Sequence, residues 1–289
     1  MTITDQSANT AACRPPRFAL ASALWGLVWG SSVAAQSVES GLWYDRVHAG
    51  HGLDLHRAGT TLFGAFYSYG TDGQTRWLWL QVDDLADPSG DLWQVARVAD
   101  GLSLSAVGRF SLRQTEVCAD ALSRPGARAL RQFEFELEGT AQVWCVEPLL
   151  PADSHPLQTV DGAWYDPAEP GWGLFAHHYL RPDLQVWTYR SLYFHDVDGR
   201  PRWAFAQSAW AEADLTQRYY TPVAECLGCP PPVALTSEVG TARIHLQDVS
   251  PEPPAGSNPA LIQLSLDGDD FLRETTLRLL SDPIQPSGE

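Results

Sequence analysis

The chain has 289 residues, 44% of them hydrophobic and 19% charged, which is the composition of a folded protein with room for about two domains rather than of a disordered one. Only 19 Lys and Arg stand against 35 Asp and Glu, a formal charge of −16, so the clustered cations that a nucleic acid or an anionic membrane surface would need are missing. An acidic excess suits solubility outside the cell, or a cationic partner.

The chain begins with a secretory signature. Arg14 and Arg17 precede an apolar run over 18–34, and small residues follow at Val33, Ala34 and Ala35. Residues 1–35 therefore read as a signal peptide cleaved after Ala34 or Ala35, which places the mature protein outside the cytoplasm, periplasmic or secreted, with no remaining membrane span. Cleavage removes Cys13 and leaves Cys118, Cys145, Cys226 and Cys229, an even number suited to an oxidising compartment. Of three connectivities, Cys118–Cys145 with Cys226–Cys229 is favoured because each pair stays within one half of the chain. The Cys226-Leu-Gly-Cys229 spacing also occurs in redox motifs, but here it lies among prolines and not at a helix start that would stabilise a thiolate.

After the leader the pattern is strand-like throughout. Segments 41–45, 52–57, 61–69, 75–82, 92–99, 107–114, 132–138 and 141–147 are rich in β-formers and bounded by turn residues. Phe133, Phe135 and Leu137 alternate with Glu134, Glu136 and Glu138, which puts one face in a core and the other in water. Asp72-Gly73 is expected as a type I′ hairpin turn, and Asp198-Gly199 likewise.

The second half repeats the first. Gly41-Leu-Trp43-Tyr-Asp45 answers Gly162-Ala-Trp164-Tyr-Asp166, and Gly50-His-Gly52-Leu53 answers Gly171-Trp-Gly173-Leu174, at a spacing of 121 residues (Trp43 to Trp164). Asp72-Gly73-Gln-Thr-Arg76-Trp77 answers Asp198-Gly199-Arg-Pro-Arg202-Trp203 at 126 (Trp77 to Trp203). Val107-Gly108 and Leu137-Glu-Gly139 find their partners at Val239-Gly240 and Leu266-Asp-Gly268. The expected architecture is all-β, with two tandem antiparallel β-barrel or β-sandwich repeats of about eight strands each: 36–149, a Pro-rich linker at 150–160, 161–281, and a tail at 282–289.

The phrase G-x-W-Y-D, then G-x-G-L, an aromatic strand and D-G-x-x-R-W, resembles a motif of an uncharacterised family of secreted Gram-negative bacterial β-repeat proteins. That resemblance covers nearly all of the mature chain and implies an exported repeat protein without implying an activity. G-x-W at Trp43 and Trp164 is also similar to the first strand of the calycins, the lipocalins and avidins, whose tryptophan packs across the closed end of a barrel. That likeness implies Arg278 lying over Trp164.

Comparing the copies sorts the candidate residues. Tryptophans shared by both copies, at 43, 77, 164 and 203, read as core. Those peculiar to one copy, Trp79, Trp93, Trp172, Trp187 and Trp210, together with Trp144, could offer flat faces to a sugar or an apolar ligand. Asp45, His48 and His56, which become Asp166, Glu169 and His177, keep metal-competent chemistry in both copies, and a metal ion is the one cofactor these residues suggest. The mature chain contains no G-x-S-x-G elbow. The reading reached from sequence is a binding or interaction module for an extracellular or periplasmic glycan, small molecule or protein. The alternatives are a secreted hydrolase or lyase acting on a polymer, metal-dependent in one form, and a structural protein of the envelope.

Overall fold

A computed structural model describes residues 40–48, 50–70, 72–150, 161–210, 214–222, 236–247, 261–267 and 273–281. The expected signal segment 1–35, the tail at 282–289, all of the 150–160 linker but Leu150, and Cys226 and Cys229 lie outside them.

The described residues form sixteen strands and no helix. The first eight are β1 (Gly41–Asp45), β2 (Gly52–Ala58), β3 (Thr61–Tyr69), β4 (Thr75–Val82), β5 (Ser89–Val98), β6 (Gly101–Gln114), β7 (Arg131–Leu137) and β8 (Thr140–Pro148). They pair in sequence order, all antiparallel, and β1 pairs back with β8 to close a barrel. The second eight do the same: β9 (Gly162–Tyr165), β10 (Gly173–Leu180), β11 (Val186–His195), β12 (Pro201–Ala209), β13 (Asp214–Pro222), β14 (Thr236–Gln247), β15 (Leu261–Asp267) and β16 (Arg273–Leu279), with β16 closing on β9. Among the described residues, each sheet closes on itself and so has no terminal edge strand. Each repeat is thus a barrel of its own.

The motif residues explain how the barrels close. Trp43 and Trp164 belong to the interior cores of their own barrels. A Cβ on Gly173 would sit 2.3 Å from the Trp164 carbonyl, and one on Gly52 would sit 2.7 Å from that of Trp43, so G-x-G-L allows the second strand to pass close over the first. The motif aspartates tie the first strand to the last. Asp45 accepts from the Val47 N–H at 2.8 Å and the Cys145 N–H at 3.1 Å, while Asp166 accepts from the Ala168 N–H at 2.8 Å and the Thr275 hydroxyl at 2.7 Å. Beside Asp45, a Cys118–Cys145 disulfide pins the loop between β6 and β7 to β8.

Three sequence expectations require correction. Gly73 and Gly199 have positive φ, but Asp72 and Asp198 do not. The Gly73 and Gly199 N–H groups donate to Gly70 and Asp196, so each hairpin is a type I turn followed by a left-handed glycine and not a type I′ turn. Strand β6 begins at Gly101, well before residue 107, because β5 and β6 continue past their barrel as a hairpin that reaches the second one. There the Arg97 N–H donates to the Gly199 carbonyl at 3.0 Å. Finally, Arg278 is exposed on the outer face, while Leu279 sits opposite Trp164.

The two barrels pack through their outer faces with approximate two-fold symmetry. The Trp77 indole N–H donates to the Phe194 carbonyl at 3.1 Å, and its counterpart Trp203 donates to the Ser68 carbonyl at 3.1 Å. Tyr67 lies against Trp203 and Tyr193 against Trp77, again as counterparts. Trp77 and Trp203 are therefore core residues, but of a third core between the barrels, with Leu42, Phe63, Phe175 and Tyr193. This seam positions both candidate sites.

Candidate functional sites

The first site lies on the seam. Strand β2 presents Leu53 and Leu55 to its barrel interior, so Asp54 and His56 face outward toward the second barrel. Asp54 Oδ1 accepts from His56 Nε2 at 2.9 Å and from His177 Nε2, on β10, at 2.7 Å. Asp54 Oδ2 accepts from the Ser191 hydroxyl at 2.9 Å, and the Tyr67 hydroxyl donates to Ser191 at 2.8 Å. The His56 and His177 rings stack with centroids 5.3 Å apart, and Phe175 lies against His56 at 4.6 Å. All of these side chains are buried. Burial would raise the Asp54 carboxyl, but the His177 charge and hydrogen bonds from both histidines hold it well below the usual range. Burial pushes His56 down, whereas for His177 the Asp54 charge and hydrogen bond outweigh burial and raise it.

The second site lies inside the second barrel. Ala176, Leu192, Phe194, Ala204, Ala206, Tyr219 and Ala242 face its interior, and strand alternation puts His178, Thr188, Arg190, Ser208 and Gln217 on the same inner face toward one end. Arg190 is 1% exposed. Its Nη1 donates to Gln217 Oε1 at 2.5 Å, and Gln217 Nε2 donates to the Ser208 hydroxyl at 2.9 Å. No carboxylate of the described residues lies within ion-pair distance of Arg190, and its Nε has no hydrogen-bond partner. Thr188 Oγ1, the Tyr219 hydroxyl and His178 Nε2 are likewise buried without partners. Burial pushes the Arg190 guanidinium down to about 10, with the Tyr219 and Asp161 charges opposing. Asp161, just before β9, holds His178 through Nδ1. Burial pushes His178 down against the pull of Asp161, and with Nδ1 donating to Asp161 the neutral ring presents Nε2 as an acceptor. Trp210 stands at this end, 4.4 Å from the His178 ring and 5.7 Å from the Arg190 guanidinium. A cleft lined in part by Leu42, Arg128 and His177 also touches Asp161 and His178.

The first barrel shows what a filled interior looks like in the same fold. Where it has Leu78, Leu80 and Val82 on β4, the second has Ala204, Ala206 and Ser208 on β12. Its Leu62 and Gly64 become Thr188 and Arg190, and its Leu92 becomes Tyr219. Four buried polar atoms left unsatisfied cost about 1–3 kcal/mol each, and native interiors hold few of them. Such a cluster is suited to binding a small polar molecule.

The sequence-derived candidates divide between these places. Of the six metal candidates, the structure brings together His56 and His177. Asp45 serves backbone N–H groups and lies near Arg124 and His48, Asp166 is taken by Ala168 and Thr275, and Glu169 pairs with Arg97 at 2.9 Å across the barrels. Trp172 and Trp144 are buried inside their barrels, in positions that cannot offer a face to a surface ligand. Trp79 is half-buried, stacked on Phe63 and paired across strands with Trp93, and its counterpart is the aromatic Phe205. Trp187 lies under the Arg181 guanidinium at 4.4 Å. Trp210 is the one that lies at the polar interior.

Sequence reasoning missed Asp54 and Arg190. Asp54 has Phe175 as its counterpart, so a search for residues kept in both copies passes over it. Arg190 was legible only as a charge placed where the first copy has Gly64, opposite a strand whose large residues have become alanine. No family model, curated protein or solved structure matches this chain.

Proposed function

We propose that this protein is an extracytoplasmic binding module that holds a small anionic molecule in the polar end of its second barrel. Arg190 carries the reading: a fully buried guanidinium with a free Nε and no carboxylate partner among the described residues. Leaving a buried charge without its partner costs on the order of 3–5 kcal/mol, and an anionic ligand would remove that cost. A carboxylate or phosphate accepts two hydrogen bonds from one guanidinium, Thr188 and Tyr219 supply further hydroxyls, and His178 Nε2 accepts a hydroxyl or N–H from the same ligand. Extracytoplasmic placement is supported by the Cys118–Cys145 disulfide, and no helix of the described residues is long and apolar enough to cross a membrane.

Binding is favoured over hydrolysis. Asp161–His178 resembles the acid–imidazole half of a nucleophilic relay, yet no hydroxyl or thiol of the described residues hydrogen-bonds His178 Nε2.

Trp210 is the built-in reporter. Titration with acetate, glucuronate and inorganic phosphate should change tryptophan fluorescence saturably for at least one anion. Arg190→Met should abolish that change while the ligand-free melting temperature holds or rises, because an uncompensated buried charge is gone. A response unchanged in the Met variant, or none from any anion, would refute the assignment.

A further inference from the structure

We infer that the seam between the barrels is a binding site for one divalent transition-metal ion, with Asp54 Oδ1, His56 Nε2 and His177 Nε2 as its protein ligands. These three atoms lie within 4.8 Å of one another, and all three residues are buried. A tetrahedral site needs ligand bonds of about 2.0–2.2 Å, which side-chain movements of less than roughly 1 Å would supply here. Two imidazoles and one carboxylate suit zinc, copper, nickel or cobalt, and are a poor set for calcium or magnesium. The surroundings support such a use. Asp54 Oδ2 is fixed by the Ser191 hydroxyl, which is itself fixed by Tyr67, so the carboxylate is aimed by a chain of hydrogen bonds behind it. Phe175 and Phe63 place apolar faces beside His56.

The site exists only because the two copies pack together. His56 and His177 are counterparts meeting near the approximate two-fold axis, so the symmetric scaffold supplies the two nitrogens. The third ligand breaks the symmetry, since the counterpart of Asp54 is Phe175 and that of Ser191 is Ala65. One ion per chain follows, held by residues from both barrels, so it would also clamp the seam. This site is separate from the Arg190 interior and does not depend on it.

Cobalt(II) and zinc are the probes. The metal-stripped full chain titrated with Co²⁺ should develop the visible absorption of a four-coordinate ion, saturating at one equivalent and displaced by Zn²⁺, and Zn²⁺ should raise the melting temperature. His177→Gln and Asp54→Asn should weaken binding by more than 100-fold, Ser191→Ala by about 10-fold, and His48→Gln not at all. Should the ligand variants misfold, Ser191→Ala and the unaltered chain still decide. Absence of a one-equivalent band and of a Zn²⁺ shift in the unaltered protein overturns the site, as does a band that persists in folded His177→Gln but disappears in His48→Gln.

Discussion

At the scale of single residues, burial and neighbouring carboxylates shift the histidines in opposite directions. His195 donates from Nε2 to the Val95 carbonyl at 2.9 Å across the seam and is pushed down by desolvation, with the backbone bond and Asp196 pulling upward and Arg97 downward. A histidine held below its unfolded value contributes stability that is complete above about pH 6.5 and is lost as the pH falls, because the unfolded chain then binds the extra proton. His56 and His178 act in the same direction, and His177, raised by Asp54, acts in the opposite one. Stability from urea unfolding should therefore fall between pH 7.5 and 5.5. His195→Gln should fall less steeply, by up to about 1 kcal/mol over that interval. Parallel slopes would show that His195 takes no part.

At the scale of elements, the hairpins of β3–β4 and β11–β12 do two jobs. Leu78 and Leu80 fill one barrel, while Trp77, on the opposite face of the strand, reaches into the other copy. Trp77→Ala and Trp203→Ala should each cost about 3–5 kcal/mol in urea unfolding, with Trp77→Phe costing less because the ring packing survives and only the bond to Phe194 is lost. A cost below about 1 kcal/mol for the alanine variants would mean the seam contributes little. The strand pattern made these elements legible: 61–69 and 75–82 appear as β3 and β4 with the expected bounds. The purpose of Trp77 was not legible. Both faces of Thr75-Arg-Trp-Leu-Trp-Leu are apolar, so alternation alone cannot say which face meets a partner. The same ambiguity hid the orientation of Asp54 and His56, polar residues on a face that the second barrel covers.

At the scale of the whole molecule, one duplicated barrel has taken two characters. The first is packed with Phe66, Phe133, Phe135 and Trp144, held by a disulfide at its side. The second keeps its interior tryptophan, Trp164, but carries alanines and a guanidinium with no carboxylate partner among the described residues where the first has leucine and glycine. Repetition was plain in the sequence. This division of labour was not, because it depends on which residues alternate inward on strands of different copies. A structure of the purified protein crystallised with the anion that most strongly alters tryptophan fluorescence tests the division most directly. It should show that anion inside the second barrel, within about 3 Å of Arg190 Nε and the Tyr219 hydroxyl, and nothing comparable in the first. An anion bound elsewhere, with Arg190 Nε paired to a carboxylate of its own chain, would contradict it.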